Sequence, residues 1–171
     1  METNTNNIII YILGLIIGLT FPDFDYFLEH YIGHRSFITH SIIILLIFLS
    51  LSKNKNDLKT INYLLGLSNG LIIHLISDLD LPSELIGGKT IKFFTYDFGL
   101  ISFYWLMGNI IIGFYIAEKL LKKFDNKKKY YLINLIFGCI FIYLNSDIYL
   151  FLIALLIMLS SIFSFLRKSL P

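Results

Sequence analysis

Long apolar runs separated by short polar connections dominate the hydropathy pattern of this chain. Six apolar segments stand out, at about 8–21, 37–52, 61–81, 98–118, 130–145 and 148–166. They consist of consecutive Ile, Leu and Phe rather than alternating polar and apolar residues, which is typical of membrane helices. The pattern predicts an all-α, polytopic transmembrane helix bundle of about six spans.

Several segments are shorter than the ~20 residues that cross about 30 Å of hydrocarbon. For segments 8–21 and 37–52, full crossing and an interfacial or re-entrant placement both stay open. The amino terminus lacks the basic region and cleavage site of a signal peptide, so we expect 8–21 to be a retained helix. Gly33 is expected to end a short helix, and Ser36 to cap segment 37–52.

Composition agrees with a membrane protein. Hydrophobic residues make up 56% of the 171 residues, and the mean hydropathy is +0.73, against roughly 45–50% apolar residues in soluble domains. The length predicts a single domain, 1–171. The net charge of +2 is too small to indicate nucleic acid as a partner, and the lone cysteine, Cys139, excludes an intrachain disulfide.

The basic residues predict an orientation. If all six segments cross, the amino terminus, 53–60, 119–129 and the carboxyl terminus share one side of the membrane. That side carries eleven of the fourteen basic residues, and only Arg35, Lys89 and Lys92 fall on the other. The positive-inside rule then predicts an integral membrane protein with both termini in the cytoplasm.

Ionisable side chains are concentrated between residues 20 and 41, which is unusual in so apolar a chain. This stretch holds Asp23, Asp25, Glu29, His30, His34, Arg35 and His40. The fourth histidine, His74, precedes Asp78 by one helical turn, so the two share a helix face. With the predicted orientation all of these residues reach the extracytoplasmic end. Carboxylates and imidazoles are the ligands of zinc, manganese or iron sites.

Each part of this cluster also has a purely structural interpretation. His74 and Asp78 could simply hydrogen-bond each other within the bundle, although ionisable groups inside spans usually indicate function. Asp23 and Asp25 could complement the dipole of a helix start.

The remaining polar side chains are also open to two interpretations. Glu29 and His30 could support the site, or they could be solvated residues at the membrane surface. Arg35 could snorkel to the interface, or its planar fork could bind a phosphate or carboxylate.

Three motifs in order, Pro22–Asp25, Gly33–Ser41 and His74-x-x-x-Asp78, resemble the YdjM-like family of membrane-bound, metal-dependent hydrolases. The match covers roughly residues 18–80, and the family is thought to be distantly related to zinc-dependent phospholipases C and nucleases. We expect the single domain to consist of a metal-site half, 8–81, and supporting helices, 98–166. The resemblance implies the metal ligands Asp23, Asp25, His34, His40, His74 and Asp78. Arg35, Thr39 and Ser41 would support these ligands or the substrate.

Two features depart from the family pattern. Many members carry a Thr-His pair near the amino terminus, and this chain does not. The Thr-Pro-x-Gly-like stretch after His-x-x-x-Asp is replaced here by residues 79–83. Either change could remove a ligand, and Asp80 or Glu84 could compensate.

These observations predict a hydrolase that depends on one or two divalent ions and cleaves a phosphoester in a membrane lipid or another small anionic substrate. Asp25 would take the proton of the attacking water, and Arg35 would stabilise the developing charge. The alternatives are a metal or proton transporter, and a non-catalytic membrane adaptor with a structural ion. Activity, metal flux and metal content distinguish the three.

Overall fold

The computed structural model describes residues 5–32, 35–55, 57–79, 90–93 and 96–145, and these residues are mainly helical. The chain divides into two compact units, Met1–Asp125 and Asn126–Pro171. The helices of the first unit are α1 (Thr5–Thr20), a 3-10 helix (Pro22–Leu28), α2 (Glu29–Ile32), α3 (Ile43–Leu51), α4 (Leu58–Ser77) and α5 (Ile101–Leu121). A two-stranded antiparallel hairpin, β1 (Lys92–Phe93) and β2 (Tyr96–Asp97), precedes α5. The second unit contributes α6 (Lys128–Asn145).

Helices α1 and α4 form the centre of the first unit, run parallel and are held in register by glycines. A Cβ at Gly14 would lie 2.3 Å from Tyr63 O, and one at Gly18 would lie 2.4 Å from Leu67 O. In the other direction, a Cβ added at Gly66 or Gly70 of α4 would lie 2.0 or 2.2 Å from a backbone carbonyl oxygen of α1. Each helix thus carries a Gly-x-x-x-Gly motif that lets the two backbones touch. The carboxyl-terminal ends of α1 and α4 therefore lie side by side.

Helix α4 is the most buried element, and α5 and α3 pack along it. Ser68 of α4 donates a hydrogen bond to Gly113 O of α5 at 3.1 Å. Asn109 of α5 accepts the backbone N–H of Ile42 at 2.9 Å, just before α3 begins. Since α5 runs antiparallel to α4, its amino-terminal end lies beside the carboxyl-terminal ends of α1 and α4.

The second apolar segment, 37–52, is helical over only part of its length. Helix α3 begins at Ile43, so Ser36 does not cap it as predicted. Instead, residues 37–42 turn, and Ser36 Oγ accepts the N–H of Thr39 at 3.2 Å. Ser and Thr side chains offer the backbone such alternatives to helical hydrogen bonds. The nine residues of α3 span about 13–14 Å.

The hairpin fastens this turn to α5. Lys92 donates its backbone N–H to Arg35 O at 2.8 Å, and its carbonyl accepts Phe37 N–H at 2.8 Å. The Phe37 ring stacks on Trp105 of α5 with ring centroids 3.8 Å apart. Ile91 donates its N–H to Ser102 Oγ at 2.9 Å. The hairpin and α5 therefore both hold this turn in place.

Among the described residues, two helices, α4 and α5, are long and apolar enough to cross a membrane. A third crossing is possible if α1 and the segment Pro22–Ile32, bent by 49° at their junction, count as one broken span. The prediction of a mainly helical chain is thus confirmed, and its long apolar helices are compatible with a membrane protein. The number of six spans stays a prediction. The last apolar segment, 148–166, lies outside the described residues.

Candidate metal centre

His74 sits in the last turn of α4, where its ring is held by the end of α1. Its Nδ1 lies 2.7 Å from Leu19 O. A carbonyl oxygen can only accept, so Nδ1 carries the hydrogen and Nε2 presents its lone pair in the neutral ring. The glycine contacts of α1 and α4 bring Leu19 this close. His74 is buried, at 3% exposure.

His40 lies in the turn before α3 and is oriented by a buried carboxylate. Its Nδ1 is 3.3 Å from Asp25 Oδ2 and 3.1 Å from Thr39 Oγ1. Asp25 Oδ2 also accepts the N–H of Ser36 at 2.7 Å and the hydroxyl of Thr39 at 2.6 Å. Asp25 is fully buried. This arrangement favours hydrogen on Nδ1, so that Nε2 of His40 faces the opposite way, toward the end of α4.

The two imidazoles meet at Asp78, which caps the carboxyl end of α4. Asp78 Oδ2 lies 3.2 Å from His40 Nε2 and 3.1 Å from His74 Nε2. All three atoms are buried. Ligand atoms around a four-coordinate zinc with bonds of about 2.0 Å are separated by about 3.3 Å. Both distances from Asp78 Oδ2 thus match the spacing of metal ligands.

Asp23 closes the group on its solvent side. Its Oδ1 lies 3.7 Å from His74 Nε2, and its side chain is 57% exposed. Ligand atoms from Asp23, His40 and His74 all lie within 4.8 Å of one another. These three residues could therefore hold a metal ion between a buried side and an open side.

Arg35 stands at the same opening. Its Nη2 lies 3.6 Å from Asp78 Oδ1, and its side chain is 19% exposed. Its backbone has a φ of 62°, in the left-handed region that residues other than glycine rarely adopt. The hairpin holds that conformation by donating the Lys92 N–H to Arg35 O. Such strain is typical of functional positions.

The electrostatics of the group favour a positive charge at its centre. Burial would lower the pKa of His40, but hydrogen bonds to Asp25 and Asp78 and the charges of both carboxylates raise it to about 9. For Asp78, burial opposes ionisation, yet hydrogen bonds to His40 and His74 hold its pKa well below the usual range. The carboxylates of Asp25 and Asp78 thus stabilise the extra proton of His40, and they would equally stabilise a divalent cation that replaced it.

The other predicted site residues support the surroundings of the centre or lie away from it. Thr39 supports Asp25 directly, as described above. Ser41 donates its hydroxyl to Ile38 O at 2.7 Å and accepts the N–H of Ile43, so it serves the turn rather than the centre. Glu29 and His30 are exposed on α2, where the His30 ring contacts Tyr31.

His34 and Asp80, a predicted ligand and a predicted supporting residue, fall outside the described residues. Two contributions were not predicted at all. Leu19 takes part through its backbone carbonyl, which no side-chain motif reveals. The glycine pairs of α1 and α4 could have been recognised as small-x-x-x-small motifs in apolar helices.

Comparison with known proteins adds nothing to these observations. No family model, no curated protein and no solved structure matches the chain. The chemistry of the centre therefore has to be inferred from its own geometry.

Proposed function

We propose that this protein is a membrane-bound, divalent-metal-dependent hydrolase of a phosphoester, carried by a lipid or by another anionic substrate. His40, His74 and Asp78 would be the protein ligands of the ion, and Asp23, whose ligand atom lies within 4.8 Å of both imidazoles, would face a bound water instead. Zinc, manganese and iron all suit two imidazoles and a carboxylate. The order of the Pro-Asp-x-Asp, Gly-His-Arg and His-x-x-x-Asp motifs, which resembles the YdjM-like family, supports the same assignment.

The observation that carries this proposal is the convergence of two buried imidazoles on one carboxylate oxygen: Asp78 Oδ2 lies 3.2 Å from His40 Nε2 and 3.1 Å from His74 Nε2. Each imidazole is oriented from behind, one by a carboxylate and one by a backbone carbonyl. Metal-binding histidines are oriented in this way because the outer partner fixes the tautomer and the ring plane. Three protein ligands with one open side are typical of catalytic rather than structural metal sites.

The bound ion would supply a Lewis acid and lower the pKa of a water molecule at the open side. Asp23 is the residue best placed to accept the proton of that water, because its carboxylate is exposed beside His74. The geometry favours Asp23 over Asp25 here, since Asp25 lies buried behind His40 and its Oδ2 already accepts from Ser36 and Thr39.

Arg35 would bind the anionic substrate. A guanidinium carries five N–H donors in a fixed fork, so it can contact Asp78 and still donate to a phosphoryl oxygen. Removing one such donor from an active site typically costs about 10²–10³ in rate.

The proposed orientation keeps the centre on the extracytoplasmic side, with both termini in the cytoplasm. Six lysines of the first unit support it: Lys53, Lys55 and Lys59 around the start of α4, and Lys119, Lys122 and Lys123 around the end of α5. Both of these helix ends lie opposite the centre. Positive charge concentrated there favours the cytoplasmic side.

The test combines metal content with turnover. The full chain, purified in detergent without chelator, should contain zinc, manganese or iron near stoichiometric amounts. It should also hydrolyse bis(p-nitrophenyl) phosphate or phospholipid in mixed micelles. His40→Ala should lose both properties, whereas His30→Ala, an exposed histidine outside the centre, should keep both.

Three outcomes would contradict the hydrolase. Wild-type protein with no metal would remove the centre itself. Metal without turnover on any phosphoester would favour a structural ion in an adaptor. Metal flux into liposomes that His40→Ala abolishes would favour a transporter.

A further inference from the structure

The segment Pro22–Ile32 combines aromatic exposure with a length too short to cross a membrane. Seven residues of 3-10 helix and four of α-helix extend over about 20 Å, against about 30 Å of hydrocarbon. The segment bends away from α1 by 49°. By itself the segment is therefore too short to cross the hydrocarbon.

Nearly every apolar side chain of this segment is exposed. Phe24, Tyr26, Phe27 and Tyr31 are all exposed, Phe27 by 80%, and within the 3-10 helix only Pro22 and Asp25 are buried. Phe24, Phe27 and Tyr31 follow one another at spacings of three and four residues and so share one face, whereas Tyr26 lies off it. A row of exposed rings beside the carboxylates of Asp23 and Glu29 suits the lipid–water boundary, where amphipathic rings accumulate.

A second group of exposed aromatic rings lies on the hairpin and at the start of α5. Phe93, Tyr96 and Tyr104 are exposed there. The hairpin is hydrogen-bonded to Arg35 and Phe37, so this second group of rings is connected to the turn that carries His40. We define the aromatic rim as Phe24, Phe27, Tyr31, Phe93, Tyr96 and Tyr104.

The rim continues the outward surface of a candidate membrane span. Ile101, Ile111, Ile112 and Tyr115 are exposed along α5, which meets the criteria for crossing the membrane. A lipid-facing helix surface that ends in a band of Phe and Tyr has the pattern of an aromatic belt.

We propose that the aromatic rim lies in the boundary of a zwitterionic phospholipid bilayer, with Pro22–Ile32 parallel to the membrane plane. The charge of this segment selects the lipid class. Its exposed charged side chains are Asp23 and Glu29, and it contains neither lysine nor arginine, so an anionic surface would repel it. The openings at Asp23 and Arg35 then face the head-group layer. This surface stands on its own, whether or not the centre proves to be hydrolytic.

Depth measurements on spin-labelled variants test the proposal. Cys139 is the only cysteine, so Cys139→Ser provides a background for Phe24→Cys, Phe27→Cys and Tyr31→Cys. The labelled full chain is placed in phosphatidylcholine nanodiscs, and collisions with oxygen and with a water-soluble nickel chelate report depth. All three labels should lie at one depth, near the phosphate layer.

Two exposed positions on α5 calibrate the scale. Tyr115→Cys should report the acyl-chain region, and Glu118→Cys, one turn nearer the lysine-rich end, should report a shallower position. The unfolding temperature of each variant, compared with the background, shows that the fold is retained.

Each other result would overturn the proposal. If Pro22–Ile32 ran along the membrane normal, the labels at Phe24 and Tyr31 would differ in depth by about 10–14 Å. Full access to the nickel chelate at all three positions would place the segment in water. Protection of Phe27 from both reagents would indicate that protein, such as a second copy of the chain, covers it.

Discussion

Replacing Gly70 by alanine tests whether the packing of α1 on α4 holds the imidazole of His74. The added Cβ would lie 2.2 Å from Leu15 O and 2.8 Å from Leu19 N, and backbone atoms cannot rotate away. To bring Leu15 O from 2.2 to 3.4 Å, where ordinary contact begins, the last turn of α1 must retreat by about 1.2 Å. The hydrogen bond from His74 Nδ1 to Leu19 O, now 2.7 Å, cannot survive such a shift unchanged.

Two effects set the expected changes in stability and in metal affinity. Overfilling a close helix contact costs about 1–3 kcal/mol. Loss of a partner that orients a metal ligand typically weakens metal binding by about 10–100-fold. We therefore expect Gly70→Ala to have a lower unfolding temperature and a zinc affinity at least tenfold below wild type.

Gly108→Ala is the matched control. It adds the same methyl group within α5, but in the part of the chain that the structure describes, no atom outside its own stretch of helix lies within 4 Å of the new Cβ. Zinc competition against a chromophoric chelator, in one detergent for all three proteins, measures the affinity. If Gly70→Ala binds zinc as tightly as wild type, or if Gly108→Ala is equally weakened, the close helix contact does not position His74.

Further changes separate the roles around the centre. Asp25→Asn should weaken metal binding by about 10–100-fold, because the charge that orients His40 is lost; Asp97→Asn, on the exposed hairpin, should bind metal as wild type does. Arg35→Lys should lower kcat/KM for a phosphodiester by about 10²-fold with metal content unchanged, and a normal rate would contradict the role of Arg35; Lys92→Ala, which keeps the backbone pairing, should retain the rate. Chelation should lower the unfolding temperature, since metal at 100 times its Kd stabilises by about 2.7 kcal/mol; a temperature that neither falls with chelator nor recovers with added metal would argue against a bound ion.

Helices were predictable from the sequence because their apolar runs are long and uninterrupted. The segments 61–81 and 98–118 correspond to α4 and α5 within a few residues. Segment 37–52 differs because its first residues form hydrogen bonds outside a helix. Ser36 and Thr39 bond to Asp25, which lies 11 and 14 positions earlier in the chain. A pattern of neighbouring residues cannot reveal a hydrogen-bond partner that lies so far away in the chain.

The candidate site was predictable to the extent that it is made of ionisable side chains. Asp23, His40 and His74 were singled out by their rarity in an apolar chain, and in the structure they lie close enough to share one ion. The backbone contribution of Leu19 was not predictable in this way. Nor was the difference in burial between Asp23 and Asp25, which depends on how the 3-10 helix turns after Pro22.

The parallel pairing of α1 with α4 has a consequence for synthesis. Leu19 and His74 are 55 positions apart in the chain, and translation at about 5–20 residues per second separates their emergence from the ribosome by about 3–11 s. During that interval the glycine-lined face of α1 has no finished counterpart and must be sheltered by lipid or by the insertion machinery. A ribosome stalled before residue 78 is completed would leave a nascent chain that can insert yet cannot assemble the cluster of acids and imidazoles.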